Sequence, residues 1–154
     1  MTLLFWRFGM VCLLLSLALG VAGQLSPALE KTQGDNWMLA FLFIAGFAVS
    51  AVNGMMYKIV PFLIWFHLQS RLMGVAKVPN MKQIMREPGM RRQMWLHFSA
   101  VPVLVASALW PVLIYPAALL FGASMLLLET NLWLAFRVYR HHVKLAESAD
   151  SKSI

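Results

Sequence analysis

The chain has 154 residues, of which 60% are hydrophobic and only 12% are charged. A soluble domain is typically about 45–50% apolar and about 25% charged, so this composition excludes a soluble globular enzyme. Its net charge is +7, and the single cysteine, Cys12, excludes both an intramolecular disulfide and a zinc site built on paired cysteines. The composition therefore predicts an all-α polytopic membrane protein.

Apolar runs in chain order predict four transmembrane helices, because a crossing helix needs about 20 apolar residues. The predicted spans are residues 3–23, 37–68, 95–113 and 115–136, with a tight hairpin at Pro116 between the last two. We expect residues 1–145 to form a single four-helix transmembrane domain and residues 146–154 to form a polar cytoplasmic tail. The alternative for the first span is a signal peptide cleaved near the sequence VAGQ, although its apolar run is long for one.

The second predicted span is longer than a crossing helix requires. Its 32 residues would reach about 48 Å, against a hydrocarbon core of about 30 Å. Pro61 lacks a backbone N–H and clashes with the preceding turn, so a kink is expected near Tyr57–Pro61. The prediction is a long, kinked second helix.

The positions of the basic residues predict the orientation in the membrane. Lys and Arg crowd the segment 69–94 and the segment after the fourth span. Because basic loops stay on the cytoplasmic side, both chain ends and the 69–94 loop are expected in the cytoplasm. The expected partners are therefore the lipid bilayer and other membrane subunits or a second copy of the chain, and not nucleic acid.

Small residues recur every fourth position along the second span, at Gly46, Ser50 and Gly54. A face of this kind lets the backbone of another helix approach closely. Helix packing is the favoured interpretation, and a gap that holds a ligand is the alternative.

Two ionisable residues lie in or near apolar segments at similar predicted depth, Lys58 and Glu129. Charged groups at membrane depth are costly and usually pair or face a polar cavity. Three hypotheses stay open: an ion pair that locks two helices, a Lys58 side chain that extends alone to the interface, and a proton relay or substrate site.

The histidines are the only candidate ligands for a haem or a metal ion. His67 ends the second span and His97 opens the third, so both are expected near the cytoplasmic face, where they would hold haem b or copper between adjacent helices. The alternative is that each forms a hydrogen bond at a helix end. The pair His141–His142 is expected to belong to a solvated basic tail.

The segment NGMMYKIVPFLIWFHLQ, residues 53–69, resembles the pattern GxLYKIVPFLxWxHL of bacterial inner-membrane proteins described as haem–copper oxidase subunit I-like, which are related to the haem- and copper-containing NnrS group. The similarity continues through VPNM, RRQMWLH, the Trp110–Pro111 pair and NLWLAFRVYR, and so covers most of residues 37–140. Those relatives are longer, with additional helices and histidines upstream. The resemblance implies a bacterial inner-membrane location, and of the candidate ligands His67 and His97 match the pattern.

Three functions remain open from the sequence. The first is a small inner-membrane subunit or accessory factor of a respiratory, haem–copper type complex, without catalytic activity of its own and with haem b or copper as an optional cofactor. The second is a small proton or solute transporter, or a channel, that uses Lys58 and Glu129. The third is a membrane scaffold that recruits a partner through the 69–94 loop.

Overall fold

In the computed structural model, which describes residues 2–25, 33–72 and 80–150, every regular element is a helix. The elements are α1 (Thr2–Leu25), α2 (Gln33–Phe41), a π-helical segment (Leu42–Ala48), α3 (Val49–Leu72), α4 (Met81–Ile84), α5 (Glu87–Ser107), a 3₁₀ turn (Pro111–Leu113) and α6 (Ile114–Asp150). The all-α prediction is confirmed for this part of the chain.

Three stretches of helix are long and apolar enough to cross a membrane: Thr2–Leu25, Asp35–Arg71 and Pro111–Leu145. Their outward faces carry large apolar side chains, such as Leu14 and Leu119, which are 61% and 75% exposed. A soluble protein rarely exposes contiguous apolar surface on this scale, whereas lipid covers it without cost. By the length and composition of these helices, the prediction of a membrane protein is confirmed.

The second of these stretches is one continuous helical path with an irregular turn in it. After α2 the chain widens into the π-helical segment, then returns to α-helical geometry in α3. A widened turn of this kind bends a helix and commonly accompanies a packing or functional requirement. Pro61 lies inside α3, which continues through it to Leu72. The kink at Pro61 stays a prediction.

The boundaries of the last two helices differ from the prediction. The helix α5 begins at Glu87, where the extended Arg86 and the proline at position 88 favour a helix start. It ends at Ser107, and the chain reverses through 108–110. Pro116 lies in the first turn of α6, where a missing N–H is tolerated. The hairpin prediction at Pro116 was therefore wrong in position, since the break lies at the extended Trp110 before Pro111.

The segment predicted as the 69–94 loop is partly helical. Its first residues belong to α3, residues 73–79 lie outside the described part of the chain, and α4 and the start of α5 occupy most of the rest. In this segment the side chains of Ile84 and Met85 are each 3% exposed, and they belong to the same apolar cluster as Ala135 of α6. At the other end, α6 continues to Asp150, into the predicted tail, whose last residues 151–154 are not among those described.

The helices pack around two apolar clusters. One contains Cys12, Leu42, Ala45 and Val101, and the other lies toward α4 and the start of α5. That second cluster consists of Phe5, Tyr57, Ile84, Met85, Met94 and Ala135. Since Phe5 lies against Gly54 and Cys12 against Gly46, α1 runs antiparallel to the helical path of α2 and α3.

Candidate functional site

Polar side chains lie buried where α3, α5 and α6 meet. On α3 their spacing of three and four residues puts them on one face, and on α5 a spacing of four does the same. The set comprises Ser50, Asn53, Tyr57, Gln93, His97 and Ser124, each at most 5% exposed. Because buried polar groups are costly unless they are hydrogen-bonded, the bonds they form decide what this cluster can do.

Three of these side chains, Tyr57, Gln93 and Ser124, join the partly buried Asn131 in a continuous series of hydrogen bonds across three helices. Asn131 of α6 donates from Nδ2 to the Tyr57 hydroxyl at 3.0 Å, and that hydroxyl donates to Oε1 of Gln93 at 3.2 Å. Gln93 then donates from Nε2 to Oγ of Ser124 at 3.2 Å, and Ser124, like Asn131, belongs to α6. This network connects α3 and α5 to α6 at two positions of α6, Ser124 and Asn131.

A glycine lets α5 approach the end of this network. A Cβ added to Gly89 would collide with Oδ1 of Asn131, so a larger residue here would displace that side chain. The position of Asn131, and through it the Tyr57 hydroxyl, therefore depends on a close contact between α5 and α6.

The second polar contact is between Ser50 and His97. Ser50 Oγ lies 2.9 Å from His97 Nε2, and His97 is fully buried. Aromatic rings surround the imidazole, with the centroids of Phe5 and Phe121 6.0 and 5.9 Å away. The other ring nitrogen, Nδ1, and the Asn53 amide nitrogen have no hydrogen-bond partner among the described residues. These two nitrogens are therefore buried polar atoms whose hydrogen-bonding capacity is unused within the described part of the chain.

His67 does not belong to this cluster. It is exposed near the end of α3, where its ring lies 6.4 Å from that of Tyr139 in an edge arrangement. His97 contacts Ser50, which precedes His67 by 17 residues, or roughly 26 Å along a helix. The structure therefore does not bring the two predicted ligands together, because α5 pairs with α3 farther from its end than the sequence interpretation assumed.

The surroundings of His97 do not fit a haem or a copper ion. Haem ligation needs a free ring nitrogen that faces an open apolar cleft. Nε2 contacts Ser50, and Nδ1 has no hydrogen-bond partner among the described residues but belongs to a buried ring enclosed by phenylalanines, with no open cleft beside it in this part of the chain. Over the described residues, no group of three or more His, Cys, Asp or Glu side chains is arranged to hold a metal ion. The side chains around His97 are suited instead to hydrogen bonding and packing between helices.

Lys58 and Glu129 lie on the outside of the bundle. Both side chains are exposed, and no ion pair joins them. Lys58 follows Tyr57, which points into the polar network, so its side chain leaves the helix in another direction. Glu129 shares the outer face of α6 with exposed Leu126 and Trp133. The structure does not bring the two predicted partners together.

The small residues of the second span contact α1. A Cβ added to Gly46 would lie 2.7 Å from Cβ of Cys12, and one added to Gly54 would lie 3.1 Å from Cβ of Phe5. Ser50 lies between them, close to Gly9 of α1. This face therefore brings two helix backbones together and leaves no gap for a ligand.

Sequence reasoning singled out His97 and Ser50 for separate reasons and missed their contact. It also missed Tyr57, Gln93 and Ser124 as a connected group. A signal was present, since these polar residues interrupt apolar helices at spacings of three, four or seven residues, which marks one inward face. The partner of each could not be read from spacing alone.

Comparison with known proteins gives no further assignment: no family model, curated protein or solved structure matches the chain.

Proposed function

We propose that the chain is a small, non-catalytic integral membrane subunit or accessory factor that acts by assembling with a larger membrane protein. The observation that carries this proposal is the polar network, in which the buried Tyr57 and Gln93 bond to neighbouring helices. Interhelical hydrogen bonds of this kind hold membrane helices together. Buried side chains that bond to one another stabilise the helix bundle itself. The contacts with a partner in this proposal therefore lie on the outer surface of the bundle.

The proposed membrane arrangement has four crossing helices. The helix α5 is less apolar than the other three because Gln93 and His97 interrupt it, but both residues are turned inward and bonded to other helices. Its contact with α6 is the most extensive between any two described elements, which supports a crossing antiparallel to α6. The excess of Lys and Arg at one end supports an orientation with both chain ends in the cytoplasm, and the proposed arrangement includes a bend of α3 at Pro61 near that face.

The exposed charges support assembly with a partner. Glu129 lies 18 residues after Pro111, where the apolar helical stretch begins, or about 27 Å along it, close to the inner edge of a hydrocarbon core of about 30 Å. It carries its charge on a face with Leu126 and Trp133, and Lys58 does so on α3 beside Ile59. Ionisable residues at such depth usually pair or face a polar cavity, and a partner subunit would supply the opposite charge.

The respiratory assignment rests on the resemblance of residues 53–69 to the haem–copper oxidase subunit I-like proteins of the bacterial inner membrane. Because the surroundings of His97 do not fit a haem, the proposal puts any haem or copper in the partner. An optical spectrum tests this division: the complex should show a Soret band, and the isolated chain should not. A Soret band in the isolated chain that His97→Ala removes would contradict it.

The experiment that tests assembly is native mass spectrometry of the chain extracted from its own membrane in mild detergent. We expect a larger membrane protein at fixed stoichiometry, and we expect Glu129→Gln to reduce its recovery several-fold. Glu87→Gln is the matched control, since it removes the same charge from an exposed position at the start of α5. Recovery of the wild-type chain alone, or only with copies of itself, would contradict the proposal.

A further inference from the structure

A groove of about 330 Å³ lies between residues 83–86, at the end of α4 and just after it, and residues 131–142 of α6. Its apolar side includes Met85, which is 3% exposed, and Leu134. The groove is separate from the polar cluster, although Asn131 touches both. Nothing in the proposed assembly role uses it.

The lining of the groove also includes basic residues. Arg86, Arg137, His141 and His142 are among the residues that line it, and none of the described residues that line it is acidic. His142 is held in place, since its Nδ1 lies 2.9 Å from the Val138 carbonyl oxygen and must donate to it. The groove therefore combines several hydrogen-bond donors and a positive field.

The depth of the groove follows from the length of α6. About 20 residues cross the hydrocarbon core, which brings a helix that starts crossing at the turn before Pro111 to about residue 130. The groove begins at Asn131 and extends to His142, so it lies just outside the core, at the level of lipid headgroups. This step uses the membrane placement proposed above, whereas the charge and shape of the groove do not.

We propose that this groove binds a phosphate group, with Arg86 and Arg137 on its oxygens and the apolar part of the ligand against Met85 and Leu134. A guanidinium matches phosphate geometry with two parallel hydrogen bonds, and basic pockets beside transmembrane helices hold anionic headgroups. The phosphate belongs either to an anionic phospholipid or to a soluble phosphate compound. The chemistry of recognition is the same in both cases.

The test compares two double variants that remove the same charge. Arg86→Gln with Arg137→Gln changes the groove, whereas Arg71→Gln with Arg140→Gln changes two exposed arginines that do not line it. In the first arm, native mass spectrometry records lipid retained from vesicles of phosphatidylcholine with or without phosphatidylglycerol. In the second arm, inorganic phosphate is titrated against the chain in non-ionic detergent.

We expect wild type to retain phosphatidylglycerol in preference to phosphatidylcholine, and the groove variant to lose that retention roughly thirty-fold. This result identifies the lipid as the source. Phosphate binding in the second arm that the groove variant alone weakens also supports the site and identifies a soluble source. Binding in neither arm, or an equal loss in both double variants, overturns the proposal. Because the isolated chain is used, failure to find a partner subunit does not affect the outcome.

Discussion

Two helix contacts in this bundle are built in different ways. Where α1 crosses the π-helical segment and α3, Gly46 and Gly54 let two backbones approach until Cβ atoms of the facing residues fill the space. Where α3, α5 and α6 meet, Tyr57 and Gln93 hold the helices by hydrogen bonds. In a membrane, where apolar burial gives little drive for helix association, both solutions are available. They should fail differently: one added methyl group disrupts the first, whereas the second weakens bond by bond.

The largest effect is expected from Gly46→Val at the close contact. The new side chain would meet Cys12, whose Cβ lies 2.7 Å from the added Cβ, and backbone must move to relieve the clash. Overpacking of this kind costs about 1–3 kcal/mol. The measurement is the free energy of unfolding in mixed detergent and SDS micelles. Gly20→Val is the control, because a Cβ there meets nothing within 4 Å; equal losses in both variants would contradict the contact.

A smaller effect is expected from Tyr57→Phe in the polar network. The substitution keeps the ring and removes the hydroxyl that joins Asn131 to Gln93. With an average of about 0.6 kcal/mol for each interhelical bond in a membrane, the expected loss in unfolding free energy is about 1 kcal/mol. Tyr115→Phe makes the same change at an exposed residue of α6 and should leave stability unchanged. A Tyr57→Phe protein as stable as this control would show that the Tyr57 hydroxyl does not contribute to the free energy of unfolding.

The smallest effect is expected from Ser50→Ala. Ser50 takes part in both helix contacts, since it faces Gly9 of α1 and bonds to His97 of α5. Alanine preserves the small side chain facing Gly9 but removes the bond to His97. Only the hydrogen bond is lost, at about 0.6 kcal/mol. Ser99→Ala is the matched control, since that hydroxyl bonds to the Leu96 carbonyl within its own helix. A loss several times larger would mean that Ser50 acts through packing.

The sequence was sufficient for the helical class because hydropathy and length act along one chain segment at a time. The same holds for the small-residue face, since Gly46, Ser50 and Gly54 indicate a close approach by their spacing alone. It was not sufficient for the helix ends. The break predicted at Pro116 is wrong, because proline is tolerated in the first turn of a helix, and the chain reverses just before Pro111 instead.

The partners across helices were beyond the sequence. His67 and His97 were paired because both lie at helix ends with a similar predicted depth, but the register of α5 against α3 brings His97 to Ser50. Register depends on packing of whole faces and on close contacts such as Gly89 with Asn131, which no local spacing specifies. For the same reason the exposed positions of Lys58 and Glu129 could not be foreseen.

The most direct test of the view that these polar side chains hold helices together is a double-mutant cycle between Tyr57 and Asn131, which lie on different helices and are joined by a bond of 3.0 Å. The unfolding free energies of Tyr57→Phe, Asn131→Ala and the double variant isolate the coupling between them. We expect a favourable coupling of about 0.6 kcal/mol, as for interhelical bonds in other membrane proteins. Losses that simply add, with no coupling, would contradict it.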